Sequence, residues 1–298
     1  MRSQGKFILR SAGPYSQALT FDFYRRSRFE LADRFPHRAF ARTVLYNDIP
    51  ALITIPEKKP GLDHTVAIEW QSPEAITDRA GWRRFLERMF YFDFDLRRFY
   101  QSVSDPVMKK LTKRYVGFRP VLTPTVFEAA TWAIIGQQVN LHFAHRLKSR
   151  LVEKANRFFD LNGERYYLFP TAADIARISL RTLCAMQLSR RKAEYLHDLS
   201  RMVADGSLDL EGLASLDYDV AIERLLAIRG IGPWSANYIL MRGAGHKDAF
   251  AFGDSGVNNA VKALYRLERN PDMDFLISIS DRWRPYRSLA CYYLWKSL

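Results

Sequence analysis

Alternating and β-branched stretches dominate about the first 70 residues of the chain. Residues 42–46, 51–55 and 65–70 are rich in β-branched and aromatic side chains, and residues 19–23 alternate between apolar and polar positions. Such segments, separated by Asn-Asp and Pro-Gly pairs, are typical of strands joined by turns. The pattern predicts an antiparallel β-sheet in this part of the chain.

From about Asp78 the apolar positions recur every three or four residues, which predicts helices joined by short loops. The sequence Thr125-Val126-Phe127-Glu128 has the form of a capping box and predicts a helix start. The apolar run that follows is interrupted at residues 136–140, so we expect two helices rather than one. Another helix is expected to start at Ser189. The predicted N-terminal sheet and the helices that follow it together indicate an α+β fold that is mainly α.

Composition favours a polyanionic partner. The 298 residues carry a net charge of +13, and 48% of them are hydrophobic, which is enough for a sizeable core. Nucleic acid is the first candidate and an anionic membrane surface the second, the alternative being a merely basic soluble protein. No apolar run is long enough to span a bilayer, and residues 1–6 lack a signal-peptide core. We therefore expect an intracellular protein.

The two cysteines, Cys184 and Cys291, limit the possible cofactors. Two thiols cannot by themselves hold a four-cysteine iron–sulfur cluster or a structural zinc ion. Their scarcity also favours a reducing compartment.

Residues 225–237 are typical of a helix, a tight glycine turn and a second helix. Gly230 and Gly232 flank Ile231, and glycine reaches backbone angles that other residues avoid. Pro233 suits the first position of a helix, where its missing N–H is not needed. The free amides of such a turn favour an anion, for example a phosphate group.

Asp254 follows Gly232 by 22 residues. A phosphate-binding turn followed by one carboxylate suggests a protein that holds nucleic acid and acts on it. The alternative role for Asp254 is to cap a helix that starts at Ser255, and capping is compatible with catalysis because it fixes the carboxylate.

Three cations follow the predicted helix start at Ser189, namely Arg190, Arg191 and Lys192. Positive charges at this end oppose the helix dipole. They either contact phosphates or form a solvated basic turn, and the sequence leaves both open.

Several motifs agree in order and spacing with one family. They are residues 127–129, 135–137, 189–195, 230–238, Asp254 and residues 283–288. Over roughly residues 120–298 the chain resembles the helix-hairpin-helix DNA glycosylases with a Gly/Pro-rich loop and a downstream Asp, the HhH-GPD superfamily. Within it, the chain is most similar to the bacterial alkylation-repair type, 3-methyladenine DNA glycosylase II.

The resemblance implies an N-terminal antiparallel sheet domain and a two-part helix-hairpin-helix region with the active-site cleft between its helical subdomains. We expect a β-rich domain at residues 1–75 and a helical segment, packed with the C-terminal helices, at residues 76–118. The helix-hairpin-helix subdomain is expected at residues 119–245, and a C-terminal helical subdomain with the catalytic Asp at residues 246–298.

The resemblance also implies site residues. Asp254 is the expected catalytic carboxylate, and Trp234, Tyr238 and Trp295 are the expected base pocket. Relatives that also nick the DNA backbone have a lysine where this chain has Trp234, so we expect hydrolysis without lyase activity. For Tyr238 and Trp295, ordinary core packing is the competing interpretation.

Positions matched to the family place the DNA wedge, the side chain that fills the space left by a flipped base, at Gln138, with Gln137 beside it. The alkylation enzyme has an apolar residue at the position of Gln138. A loop that merely ends a helix is the alternative. The backbone contacts are expected at Gly230, Ile231 and Gly232. No cofactor is required, but a structural Na⁺ or K⁺ is expected at the main-chain carbonyls of Leu226, Ile228 and Ile231.

The expected function is a monofunctional glycosylase that flips alkylated bases, such as 3-methyladenine and 7-methylguanine, out of double-stranded DNA and hydrolyses the N-glycosidic bond. It is expected to be a monomer in the cytoplasm, associated with the nucleoid. Two alternatives remain: a glycosylase for deaminated, oxidised or mismatched bases, and a non-catalytic helix-hairpin-helix DNA-binding protein.

Overall fold

A computed structural model describes residues 3–25, 29–36 and 39–298. A five-stranded antiparallel sheet has the spatial order β1-β5-β4-β3-β2, and a separate two-stranded hairpin is formed by β6 and β7. The predicted strands 42–46, 51–55 and 65–70 lie within β3, β4 and β5. The strands are β1 (Ser3–Tyr15), β2 (Asp33–Arg34), β3 (Phe40–Tyr46), β4 (Ile49–Ile55), β5 (Asp63–Ser72), β6 (Phe158–Leu161) and β7 (Glu164–Tyr167).

The remainder of the described chain is mainly helical, which confirms the predicted fold class of an α+β protein that is mainly α. A 3-10 turn spans Glu211–Ser215, and a π-helical turn spans Leu240–Ala244. The helices are α1 (Gln17–Tyr24), α2 (Arg79–Met89), α3 (Leu96–Ser102), α4 (Pro106–Arg114), α5 (Val126–Gly136), α6 (Leu141–Ala155), α7 (Ala172–Ala176), α8 (Leu180–Ala185), α9 (Arg190–Ala204), α10 (Tyr218–Leu226), α11 (Pro233–Ile239), α12 (Ser255–Leu264), α13 (Met273–Asp281) and α14 (Arg287–Lys296).

The strand predicted at residues 19–23 is wrong, because this segment forms α1. Ser16 caps the helix by accepting a hydrogen bond from the Leu19 N–H. Phe21 stacks on Phe40 of the sheet, with ring centroids 4.7 Å apart, whereas Phe23 lies 5.2 Å from Phe118 in the helical region. The helix is buried on two sides, so its apolar residues alternate as they would in a strand.

The two faces of the five-stranded sheet pack against different elements. Ile53 and its neighbours on one face share a core with Trp82, Leu86 and Met89 of α2, which are part of the helical face predicted from the sequence. Leu52 points to the opposite face and packs with the β6–β7 hairpin. This alternation is the period-two pattern that predicted the strand.

The second core is helical and centres on α5, which is buried on all sides. The π-helical turn approaches it closely, because a Cβ on Gly243 would lie only 2.8 Å from that of Ala129. From α14, the Tyr293 hydroxyl donates to the Phe118 carbonyl at 3.1 Å. The domain boundaries expected at residues 75, 118 and 245 stay a prediction.

Buried charges join the sheet to the helices. Arg42 of β3 contacts Glu128 of α5 at 2.7 Å and Asp33 at 2.6 Å, and Lys148 of α6 contacts Glu128 at 3.2 Å. Thr125 caps α5 by accepting from the Glu128 N–H at 3.1 Å. Because the Glu128 carboxylate is held by these cations, the predicted capping box is only half formed.

Within the described ranges, no helix is long and apolar enough to cross a bilayer. The same residues contain no group of three or more His, Cys, Asp and Glu side chains placed to hold a metal ion. The prediction that residues 1–6 lack a signal-peptide core falls partly on residues 1 and 2, which lie outside the described residues.

Candidate active site and nucleic-acid interface

One cavity of about 1250 Å³ brings most of the predicted site residues together. It lies among the end of α5, the glycine turn before α11, the start of α12 and the end of α14. Its walls include Trp234, Tyr238, Asp254 and Trp295, and its rim includes Gln138. These residues are separated by up to 157 positions in the sequence, so only the fold brings them together.

Asp254 is both a helix cap and a cavity residue. Its Oδ1 accepts hydrogen bonds from the Val257 N–H and from Trp295 Nε1, each at 2.9 Å. Its Oδ2 accepts from Trp234 Nε1 at 3.0 Å. A carboxylate offers about four lone-pair positions, so about one remains for a further donor. The two roles that the sequence left open for Asp254 are therefore combined in one side chain.

Three aromatic side chains form a continuous wall beside this carboxylate. The ring centroids of Trp234 and Tyr238 are 5.4 Å apart, as expected for residues one turn apart on a helix, and those of Tyr238 and Trp295 are 6.1 Å apart. Tyr238 is buried, and this burial raises the pKa of its hydroxyl. The wall thus offers π-faces and a neutral phenol next to the carboxylate of Asp254.

The glycine turn connects α10 to α11 with a positive backbone angle at Gly230, where φ is +89°. A Cβ there would lie 2.3 Å from the Tyr195 ring, so glycine is required for both conformation and space. The Ile231 N–H donates to the Ile228 carbonyl at 3.0 Å and closes the turn. Because its side chain is also buried, Ile231 positions the turn and has no free N–H to offer to DNA.

Free amides remain at both glycines. Among the residues that the structure describes, none accepts a hydrogen bond from the N–H of Gly230 or Gly232. Gly232 is the N-cap of α11 and provides no side-chain cap, while Pro233 occupies the first turn as predicted. The exposed end of α11 therefore presents donors together with the positive end of the helix dipole, which suits a phosphate.

The predicted cation site uses oxygen atoms of the same turn. Leu226 is the last residue of α10, where carbonyl groups lack a helical partner. The Ile228 carbonyl keeps a second lone pair after accepting from Ile231. These hard oxygen donors fit Na⁺ or K⁺, whose binding stays a prediction.

The two glutamines at the predicted wedge point in different directions. Gln137 Nε2 donates to the Gly230 carbonyl at 2.8 Å and to Ser235 Oγ at 3.1 Å, so this side chain ties α5 to the turn. Gln138 is exposed at the cavity rim and has φ of +53°, an uncommon angle for a residue with a side chain. Of the two, Gln138 is the one presented outwards.

The three cations at the start of α9 have three different environments. Ser189 caps this helix, as predicted. Arg190 forms an ion pair with an acid one turn later, and Arg191 is exposed beside the cavity. Lys192 points inwards, where its Nζ donates to the main-chain carbonyls at the end of α5, and burial lowers its pKa. No local sequence signal marks this contact, which spans more than 50 residues.

The sequence also missed several residues that line the cavity, among them Tyr24 and Arg242. Tyr24 comes from α1, and its hydroxyl donates to the Val121 carbonyl at 3.1 Å. Arg242 Nη1 donates to the Tyr24 hydroxyl at 3.1 Å. The N-terminal sheet domain thus contributes part of the cavity wall. The described fold and this cavity agree with the helix-hairpin-helix architecture expected from the sequence.

Comparison with known proteins gives the particular family. Residues 131–285 match the family described as HhH-GPD superfamily base excision DNA repair protein. A DNA-3-methyladenine glycosylase of Bacillus subtilis is 35% identical over 231 residues, which cover 77% of this chain and 74% of the relative. The chain therefore belongs to the HhH-GPD superfamily, as the sequence motifs indicated.

Further relatives agree with this membership. DNA-3-methyladenine glycosylase 2 of Escherichia coli is 28% identical over 57% of this chain and 56% of its own length. A 3-methyladenine DNA glycosylase from Archaeoglobus fulgidus superposes with a TM-score of 0.84 at 23% identity, covering 97% of both chains. An 8-oxoguanine glycosylase/lyase from Clostridium acetobutylicum has a TM-score of 0.76 at 18% identity, with 100% of this chain and 97% of that one covered. At these identities the two structures establish the shared fold.

Proposed function

We propose that this protein is a monofunctional DNA glycosylase that releases alkylated bases from double-stranded DNA by hydrolysis. The observation that carries this proposal is the carboxylate of Asp254, fixed by two indole N–H groups inside an aromatic cavity. The names of the relatives from B. subtilis and E. coli support alkylated bases as the substrate class. Trp234 supports hydrolysis, because an indole cannot form the Schiff base that lyase chemistry requires.

Cleavage of an N-glycosidic bond develops positive charge on the sugar. A carboxylate about 4 Å away attracts that charge by roughly 4 kcal/mol at an effective dielectric constant near 20, which is on the order of a thousandfold in rate. Three donors already occupy Asp254, which favours stabilisation of the sugar cation and leaves about one position to orient the attacking water.

The aromatic wall suits the base to be removed. Alkylation at ring nitrogens gives bases such as 3-methyladenine and 7-methylguanine a positive charge, which makes them good leaving groups. Trp234, Tyr238 and Trp295 offer electron-rich faces on which such a base stacks.

DNA is held at two places in this proposal. The free amides of Gly230, Gly232 and Trp234 bind a backbone phosphate, with the hairpin cation as an additional bridge. Gln138 enters the duplex and fills the space left by the flipped nucleotide. The net charge of +13 makes affinity fall as salt rises. The protein acts as a monomer, because one chain supplies all of these groups.

The test replaces the carboxylate by its isosteric amide. Asp254→Asn should reduce the rate of base release from methylated duplex DNA about a thousandfold under single-turnover conditions, since the amide carries no charge. Asp272→Asn is the matched control, because Asp272 also caps a helix, accepting from the Phe275 N–H at 2.9 Å, but lies at α13. Equal release by wild type and Asp254→Asn would exclude the catalytic role.

A further inference from the structure

Arg242 occupies an unusual place in the cavity wall. It lies on the π-helical turn Leu240–Ala244, one turn after Tyr238, and its partly buried side chain lines the cavity. Turns of π-helix inside α-helices are rare and occur frequently at functional sites. The backbone irregularity and the side chain therefore coincide at one position.

The guanidinium of Arg242 is incompletely paired. Nη1 donates to the Tyr24 hydroxyl at 3.1 Å and to the Val121 carbonyl at 3.3 Å. Its Cζ lies 5.5 Å from the centre of the Tyr24 ring and 5.7 Å from that of Tyr292. The buried Nε has no acceptor among the described residues, and no carboxylate of the described chain lies within 4 Å of this side chain. The groups at these distances are all neutral.

Two other buried arginines have acids beside them, whereas the fully buried Arg119 is held by the main-chain carbonyls of Tyr91 and Phe94. Arg42 contacts Asp33 at 2.6 Å, and Arg287 contacts Asp248 at 3.0 Å. A buried cation normally has such a partner, because desolvation without one is costly. Arg242 lacks one and lines the cavity, so an acceptor that enters the cavity would give its guanidinium a further partner.

We propose that Arg242 is a specificity-determining residue that donates a hydrogen bond to an exocyclic oxygen of the flipped base. This inference rests on the proposed glycosylase function. Oxopurines such as 7-methylguanine present an oxygen with two lone pairs at this edge, whereas 3-methyladenine presents an amino group whose hydrogens oppose the guanidinium. The base, rather than a phosphate, is the ligand, because the phosphate donors lie at the glycine turn and Arg242 lies between Tyr24 and Tyr292.

The experiment compares bases that differ in this oxygen. Single-turnover release is measured from duplexes with one 7-methylguanine, one 7-methyl analogue lacking the 6-oxygen, or one 3-methyladenine. Wild type should release 7-methylguanine about 10- to 100-fold faster than the analogue, the range expected of a hydrogen bond to a charged donor. Arg242→Gln should abolish that preference and leave 3-methyladenine release within a few-fold of wild type. Arg201→Gln, at an exposed position of α9, is the control and should retain the preference.

Arg242→Lys separates recognition from folding, since it keeps the charge and loses the planar fork. It should keep the melting temperature near that of wild type and lose most of the preference. Equal losses on all three substrates would assign Arg242 a structural role and overturn the inference. A wild-type protein that does not distinguish 7-methylguanine from its analogue would also overturn it, without any variant. Release of none of these bases by wild type would instead refute the proposed function itself.

Discussion

Two indole groups determine how the candidate carboxylate can act. Trp234 and Trp295 each donate one hydrogen bond to Asp254, and the Val257 N–H adds a third. Hydrogen bonds to a charged group are stronger than those between neutral groups and fix its geometry. At the scale of the residue, the aromatic wall is therefore also the support of the acid.

Trp234→Phe tests this support. Phenylalanine keeps an aromatic face and removes the Nε1–H that donates to Asp254 at 3.0 Å. We expect base release to fall roughly 10- to 100-fold, which corresponds to one hydrogen bond to a charged group. Single-turnover assays measure it, and Asp254→Asn provides the background for a double-mutant cycle. If Trp234 acts through Asp254, the Phe change should have little further effect in that background, whereas a full additional loss would contradict the supporting role.

Gly230→Ala tests the turn. An added Cβ would lie 2.3 Å from the Tyr195 ring at a φ of +89°, so we expect a loss of at least about 1–2 kcal/mol in the free energy of unfolding. Gly232→Ala is the matched control, because Gly232 has φ of −95° and a methyl group added there would have no neighbouring atom within 4 Å. Urea unfolding of both variants measures the difference. Similar stabilities would show that the turn tolerates a side chain at either glycine.

At the scale of the element, three segments meet where α5 ends. Gln137 ties that end to the glycine turn, and Lys192 of α9 donates to the carbonyls of Ile135 and Gln137 at 2.8 and 2.5 Å. Gln138 follows directly, so the rim residue is held from both sides of its loop. The predicted wedge thus stands on two helices rather than on a free loop.

Lys192→Met should loosen this loop. It leaves two carbonyl groups without their donor, which costs about 1–3 kcal/mol in the free energy of unfolding, and it should weaken base flipping more than DNA binding. The measurement combines urea unfolding with the fluorescence of a 2-aminopurine placed beside the damaged base. Lys154→Met, at an exposed position near the end of α6, should change neither. If Lys192→Met flips the damaged base as well as wild type does, the Lys192 hydrogen bonds are not needed to position this loop.

Sequence patterns predict the elements with strong local signals and miss those set by distant contacts. The break between α5 and α6, the start of α9 and the helix-turn-helix around Gly230 follow from caps and glycines, which act within a few residues. Helix α1 has the alternating pattern of a strand because two cores bury its opposite sides. Tyr24 and Arg242 escape prediction for a related reason, since they meet across 218 positions and no local pattern encodes that contact.

At the scale of the whole molecule, the buried charges connect the sheet to the helical region. Glu128 of α5 lies between Arg42 of the sheet and Lys148 of α6. Burial alone would raise the pKa of Glu128, but these two cations more than offset it and hold that pKa below its ordinary value of 4.5. The ionised form therefore stabilises the contact between the two parts.

Glu128→Gln should lower the free energy of unfolding by about 1–3 kcal/mol at neutral pH, because it removes the charged acceptor that Arg42 and Lys148 share, while Asp33 and Glu30 stay beside them. A carboxyl group with a lowered pKa stabilises the fold above its unfolded pKa and loses that contribution as the pH falls through the folded value. The difference in the free energy of unfolding between wild type and Glu128→Gln should therefore become smaller in acid, below about pH 4.5. Chemical denaturation over a pH series measures this.

Glu153→Gln is the control for this series, since Glu153 is exposed on α6. Its unfolding curves should follow those of wild type at every pH. A Glu128→Gln gap that stays constant into acid would mean that the charge of Glu128 does not contribute to the contact.

The indoles that hold Asp254 also give the cavity an optical signal. Of the six tryptophans, Trp70, Trp82 and Trp283 are fully buried in the cores, whereas Trp132, Trp234 and Trp295 line the cavity. Indole emission responds to stacking and to the polarity around Nε1–H, and the surroundings of Trp234 and Trp295 change when a base stacks on their faces. The unlabelled protein should therefore report occupancy of its own cavity through intrinsic fluorescence, so binding can be followed in real time without altering either macromolecule.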